Sequence, residues 1–219
     1  MTVIAFILAP VAYATQPGSA PDAQNLAQAL QRKYDTIGDF SADFVHAYRG
    51  GVLRKVLVER GRLLVKKPGK MRWEYAAPEE KLFVSDGIKI YSYIPQDKQV
   101  IVSSVPKDDQ ATTPALFLAG KVNLTRDFIA SLADLPAGGP QGARALKLVP
   151  KTAQRDYDWL IVEIDPGTFE IRGLVTVDAQ GGRSSLSFTN LKEHVGLADK
   201  EFTFKIPRGV DVVTDSSPR

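Results

Sequence analysis

The chain has 219 residues, of which 44% are hydrophobic and 24% charged, the make-up of a folded globular protein and not of a disordered or fibrous one. Its lack of cysteine (Cys 0) excludes disulfide frameworks, thiolate zinc or iron–sulfur centres, cysteine nucleophiles and a lipid-modified N-terminal cysteine. With 28 Lys+Arg against 25 Asp+Glu the net charge is +3, too small an excess to argue for nucleic acid.

Val3 to Ala9 is a short apolar run, followed by Pro10 and then Ala12-Tyr13-Ala14. A small-x-small triplet after such a run predicts a secretory signal in residues 1–14, cleaved after Ala14. The run falls short of the ~20 residues needed to span a bilayer, so the mature protein is expected to be exported and soluble. Residues 15–21, with Gln, Pro, Gly and Ser, read as a flexible leader. Residues 22–213 read as one domain and 214–219 as a tail.

Leu26, Leu30, Tyr34 and Ile37 recur at helical spacing, so Asp22 to Ile37 is predicted helical, with Asp22 as its cap and Gly38 as its stop. Strands follow. Phe40, Ala42 and Phe44 alternate with polar neighbours, Gly50-Gly51 turns, and Val52 to Lys66 is a long strand with a bulge or bend at Gly61. After the Pro68-Gly69 turn, Met71, Trp73 and Tyr75 share one face and Arg72 and Glu74 the other. Leu82-Phe83-Val84 and Ile88 to Ile94 flank Asp86-Gly87, a strong hairpin signal. Gln99 to Ser103 is the next strand.

The middle breaks this rhythm. Thr113-Pro114 opens a short helix over Ala115 to Ala119, and Leu124 to Leu132 reads as another helical turn or two. Beyond the Pro- and Gly-rich loop at Leu135 to Gly142, strands are predicted at Ala145 to Val149, Trp159 to Asp165, Ile171 to Asp178, Arg183 to Asn190 and Phe202 to Ile206. Short turns between neighbours imply one antiparallel sheet of about ten strands. The economical place for both helical pieces is over one face of a strongly curved sheet. Met71, Trp73, Tyr75, Phe83, Tyr91 and Tyr93 are bulky enough for either a packed core or the wall of a cavity for an apolar ligand.

Motifs for catalysis are wanting. There is no Gly-x-Ser-x-Gly elbow and no phosphate loop, and Ser184-Ser185 falls within a strand. His46 and His194 lack ligand spacing and read as satisfied surface or edge-strand residues. The acid pairs Glu79-Glu80 and Asp108-Asp109 read as solvated loop surface. An enzyme is not expected, nor a metal or cofactor. The cluster Lys66-Lys67-Pro68-Gly69-Lys70 with Arg72 is either a solvated turn or a set of cations that hold a covering helix by its carbonyls or meet an acidic partner.

The run Val65-Lys66-Lys67-Pro68-Gly69-Lys70-Met71-Arg72-Trp73-Glu74-Tyr75-Ala76-Ala77-Pro78 resembles the signature of the outer-membrane lipoprotein carrier proteins, the LolA family. Leu82 to Gly87, Tyr91-Ser92-Tyr93, Gln99-Val100, Asp39 to Phe44 and the closing Phe202-Thr203-Phe204 with Pro207 and Gly209-Val210 continue the likeness in order over roughly residues 26 to 213. The resemblance implies a mainly β (α+β) fold, a single antiparallel sheet curved into an unclosed barrel, covered by an N-terminal helix and a mid-chain helical insertion.

It also implies a monomeric periplasmic chaperone. Such a carrier takes acylated lipoproteins from an inner-membrane ABC transporter and passes them to an outer-membrane receptor, with no nucleic acid involved. Met71, Trp73, Tyr75 and Phe83 match cavity-wall positions, and Tyr34 and Leu118 match lid positions facing the cavity. An arginine often precedes the turn proline in the family and holds the lid; Lys67 stands there, with the charge but without the planar fork. The usual glutamine after the first strand's Phe is replaced around Val45-His46. A periplasmic binder of a small lipid or other apolar ligand is the alternative function.

Overall fold

Long runs of period-two alternation, cut by turn residues, form a sheet that has to bend to bury its bulky face. The computed structural model describes residues 20–50, 55–106, 117–153, 157–177 and 181–214. Helix α1 (Ala20–Thr36) precedes strands β1 (Asp39–Arg49), β2 (Val56–Lys66), β3 (Lys70–Ala77), β4 (Lys81–Asp86), β5 (Lys89–Ile94) and β6 (Gln99–Ser104). A short helix α2 (Leu124–Asp127) leads into β7 (Phe128–Ala133), β8 (Arg144–Pro150), β9 (Trp159–Ile164), β10 (Ile171–Val177), β11 (Arg183–Glu193) and β12 (Asp211–Thr214). The predicted signal peptide, residues 15–19 of the leader and the Asp108-Asp109 pair lie outside the described residues, as do 115–116 of the predicted insertion helix.

The strands make one 12-stranded sheet in the order β12-β6-β5-β4-β3-β2-β1-β11-β10-β9-β8-β7. Its edges, β12 and β7, are not paired with each other, so the barrel stays open. Every pairing is antiparallel except β12 on β6, which is parallel. Bulges curl the sheet, because an extra residue in one strand increases its local twist. Register shifts occur at Ser41/Asp43, Arg60/Gly61 and Ile171/Gly173. At Gly61 the backbone of β3 comes so close that a Cβ would stand 2.0 Å from the Glu74 carbonyl oxygen and 2.8 Å from Phe44 Cζ.

Helix α1 buries Ala23, Leu26, Ala27, Leu30 and Tyr34 against β7, β8 and α2. Its side chains tie it down further. Asp22 pairs with Arg144 at 2.7 Å, and Gln31 Oε1 accepts the backbone N–H of Leu124 at 2.7 Å. Asp22 is therefore not the cap: the helix starts two residues earlier, and the carboxylate sits in the first turn, where the helix dipole favours it.

Three more expectations change. Only 124–127 of the predicted mid-chain helix is helical, capped by Asn123 Oδ1 accepting from Thr125 and Arg126. Phe128, Ala130 and Leu132 then alternate as a strand, and period two wins over a weak helical pattern. Phe202 to Ile206 is not a strand, since Asp199–Phe202 is a 3-10 turn with Phe202 fully buried, and the last strand comes later, at β12. The aromatic alternation there serves as anchors, not as a ladder. Tyr91 and Tyr93 face away from the concave side, with their rings 5.5 and 5.7 Å from Phe204, because Ser92 opposes Phe83 in the register and so takes the inner face.

Candidate functional site

The basic cluster of the β2–β3 turn is not a solvated edge. It lies mid-sheet and grips covers on both sides. Lys66 and Lys70 hold the carboxylate of Asp199 at 2.7 and 2.9 Å, keeping its pKa down at about 2, and Lys66 also donates to the Leu197 carbonyl. These contacts fasten the C-terminal segment to the convex face. Lys67, next in sequence, reaches the other way. Its ammonium donates to the main-chain carbonyl of Tyr34 and lies 3.7 Å from the centroid of the Tyr34 ring. That carbonyl belongs to the last turn of α1, where helix carbonyls lack intrahelical donors. Burial pulls the Lys67 pKa down to about 8, against the raising influence of Asp35 and Glu193.

Tyr34 also donates its phenolic hydroxyl to the Leu118 carbonyl, and its ring stacks on Phe117 with centroids 5.6 Å apart. Burial pushes the phenol well above its ordinary pKa, so it remains a donor. Phe117 and Leu118 lie in the helical piece at 117–118, which Gly120 ends with φ +70. Lys67, Tyr34 and Leu118 thus join the sheet, α1 and the mid-chain segment. Beneath them the interior is nearly full. A residual cavity of about 20 Å³ is left among Tyr34, Ile37, Phe40, Leu118 and Phe188.

The space lies beside this lid. A cleft of about 440 Å³ opens on the concave face, lined by Met71, Trp73, Tyr75, Phe83, Ile90 and Leu186, with further polar residues. The four wall residues expected from the sequence are gathered here, whereas Tyr34 and Leu118 line the small cavity under the helices. Edge-to-face contacts stiffen the wall: Phe44 to Trp73 at 5.0 Å, Phe44 to Tyr75 at 4.8 Å, Tyr75 to Phe83 at 5.5 Å. Such pairs add about 0.5–1.5 kcal/mol each beyond burial. Trp73 is buried, yet its Nε1 is the one buried side-chain N or O without a hydrogen-bond partner among the described residues.

One end of the cleft is polar. His46 Nε2 lies 2.9 Å from Ser184 Oγ, and His46 Nδ1 lies 3.3 Å from the Tyr75 hydroxyl and 3.5 Å from Glu59 Oε2. Glu59 is itself buried and bound by Lys81 at 2.6 Å. Burial lowers the His46 pKa, with Glu59 pulling the other way. His46 is thus neither a surface nor an edge residue. It stands in β1, in the middle of the sheet. The sequence reading missed Ser184, Leu186, Ile90 and Ser92 as lining residues; the hairpin at Asp86-Gly87 carried the signal for the last two, since its register puts Ile90 and Ser92 on the Phe83 face.

Among the described residues no cluster of potential ligands could hold a metal ion, and no helix is long and apolar enough to cross a membrane.

An apolar cleft on an unclosed sheet with a latched helical cover is the arrangement that the sequence resemblance implies, and comparison with known proteins decides the family. The family described as outer membrane lipoprotein carrier protein LolA matches residues 35–205. The chain belongs to it.

Among LolA relatives, the outer-membrane lipoprotein carrier protein of Chromohalobacter salexigens is 29% identical over 191 residues, 86% of this chain and 87% of that one. The protein of the same description from Pseudomonas paraeruginosa is 33% identical over 157 residues, 71% of each chain. A crystal structure of an uncharacterized conserved protein from Thermus thermophilus, 14% identical, superposes with a TM-score of 0.54 over 88% of this chain and 99% of that one, a likeness of fold alone. The family and these relatives are described as carriers.

Proposed function

We propose that this LolA-family protein is a periplasmic carrier that takes up the acyl chains of lipoproteins released from the inner membrane and delivers them to the outer membrane. The observation that carries this reading is the concave, mostly apolar cleft of about 440 Å³ beside helices held by a few hydrogen bonds. The naming of the relatives as outer-membrane lipoprotein carrier proteins supports the cargo. A carrier that serves the outer membrane has to work between the two membranes, hence the periplasm.

Transfer of an acyl chain out of water is worth about 0.8 kcal/mol per CH₂, so a released lipoprotein needs a cover throughout its passage. The cleft falls within the ~300–1,000 Å³ of sites that enclose one small ligand. Further chains need volume that Tyr34, Phe117 and Leu118 fill in the closed state. In this reading Met71, Trp73, Tyr75 and Phe83 are the permanent wall, Tyr34 and Leu118 are the part that moves aside, and Lys67 is the latch. An inner-membrane ABC transporter that releases lipoproteins and an outer-membrane receptor are its partners at the two ends.

The test is release. Vesicles bearing a fluorescent lipoprotein and the energised transporter are incubated with the protein, and soluble 1:1 complex is measured. Soluble complex that an outer-membrane receptor then discharges is expected. A protein that binds fatty acid yet leaves lipoprotein in the vesicles is instead a small-lipid binder.

A further inference from the structure

The polar end of the cleft is costly for a surface whose only task is to cover hydrocarbon, since buried polar groups need partners. Its geometry has a direction. The Tyr75 hydroxyl, held protonated by burial, stands 3.3 Å from His46 Nδ1 and can donate to it. With Nδ1 accepting, the neutral imidazole carries its hydrogen on Nε2, which in that tautomer donates to Ser184 Oγ at 2.9 Å. Glu59 Oε2 lies farther from Nδ1, at 3.5 Å, and the other oxygen of that carboxylate, Oε1, is bound by Lys81 at 2.6 Å. The chain of donors ends at Ser184, whose own hydroxyl hydrogen is left for the cleft that Ser184 lines. A second donor, the partnerless Nε1–H of Trp73, is buried within the same wall, and a ligand reaches it only by shifting its cover. Both are donors, and hydrocarbon accepts from neither.

Resting on the reading of the cleft as an acyl-chain site, we infer that it also binds the carbonyl oxygens of acyl esters or amides, through the Ser184 hydroxyl oriented by His46 and Tyr75 and through the Trp73 indole N–H. The cleft then registers where a chain joins its polar carrier, instead of sliding freely along it. His46 and Tyr75 are positioning residues in this scheme, and Ser184 and Trp73 touch the ligand.

Two probes isolate the carbonyl: 1-monododecanoyl glycerol, an ester, and 1-O-dodecyl glycerol, its ether counterpart. Their affinities are measured by titration calorimetry on the intact protein. The wild type is expected to favour the ester by about tenfold, the worth of a buried hydrogen bond whose loss strands its donor. Ser184→Ala and Tyr75→Phe are each expected to reduce the ester-to-ether affinity ratio several-fold, and that ratio, not either affinity alone, is the readout. The indole ¹⁵N–¹H resonance of Trp73 shifts with the ester and not the ether, while Trp159, the other of the two tryptophans, does not respond. Equal binding of the two probes by the wild type overturns the carbonyl subsite and leaves the acyl cleft standing, as does a Ser184→Ala variant that weakens both alike. Failure of both probes to bind overturns the acyl cleft itself.

Discussion

Lys67 meets Tyr34 twice, as a hydrogen-bond donor to its main-chain carbonyl and as a cation 3.7 Å from the centre of its ring. One side chain from the β2–β3 turn thereby holds the C-terminal turn of the covering helix, and Tyr34 relays the hold to Leu118. Gly120 is part of the same fitting: a Cβ there would stand 2.5 Å from Lys67 Cδ.

Removing the donor should loosen the cover. Lys67→Leu leaves the Tyr34 carbonyl with only the Ile37 N–H, at 3.2 Å, and takes the cation from its ring, a loss worth about 1–1.5 kcal/mol. Amide hydrogen exchange in the last turn of α1 is expected to speed up about tenfold. Lys67→Arg, which retains charge and donors, should stay within about threefold of wild type. Unchanged exchange in Lys67→Leu would contradict the latch.

The same lysine gives a pH dependence of definite sign. In the folded protein it releases its proton near pH 8, against an ordinary 10.5 when solvated. Between those values the open or unfolded state binds more protons, so folding and closure strengthen as pH rises through that window. The neutral amine still donates to the carbonyl and no longer bears the cost of a buried charge. Exchange in α1 should therefore slow relative to the intrinsic rate between pH 7.5 and 9.5 in the wild type, and show no such trend in Lys67→Leu.

Gly61→Ala should cost about 3 kcal/mol, because the new methyl meets the Glu74 carbonyl at 2.0 Å and the Phe44 ring at 2.8 Å. Backbone on one side and a core aromatic on the other leave it no room. Urea denaturation reads this directly. A loss below about 1 kcal/mol would mean that the bulge relaxes more freely than well-packed interiors do.

Ile90 lines the cleft while only half-buried, so Ile90→Glu can keep its carboxylate in water and leave the fold intact. A charge at the wall should weaken binding of an acyl probe such as 1-monododecanoyl glycerol by tenfold or more, with the melting temperature nearly unchanged. Undiminished binding would move the acyl site elsewhere.

Much of this was legible because alternation and turn chemistry agree. The Asp86-Gly87 hairpin, with Asp86 Oδ1 accepting from Ile88 and Lys89 at 2.8 and 2.7 Å, fixed which face Phe83 takes. The bulge at Gly61 was equally readable. The parts that failed are those where tertiary contacts override a local pattern. Phe202 and Phe204 look like a strand, yet each is placed by what it anchors to, the buried core or the Tyr91–Tyr93 face. His46 looked peripheral because its partners Glu59, Tyr75 and Ser184 come from three other strands. The separation of Tyr34 and Leu118 from the open cleft depends on how far the helices are closed, which no local sequence feature encodes.

The measurement closest to the central claim is photocrosslinking of a lipoprotein whose acyl chains carry diazirines, followed by mass-spectrometric mapping of the attachment sites. Crosslinks at Met71, Trp73, Tyr75 and Phe83, joined by Tyr34 and Leu118 for a multiply acylated cargo, are the predicted result. Labels confined to the outer face around Tyr91, Tyr93 and Phe204, with the concave wall untouched, would contradict it.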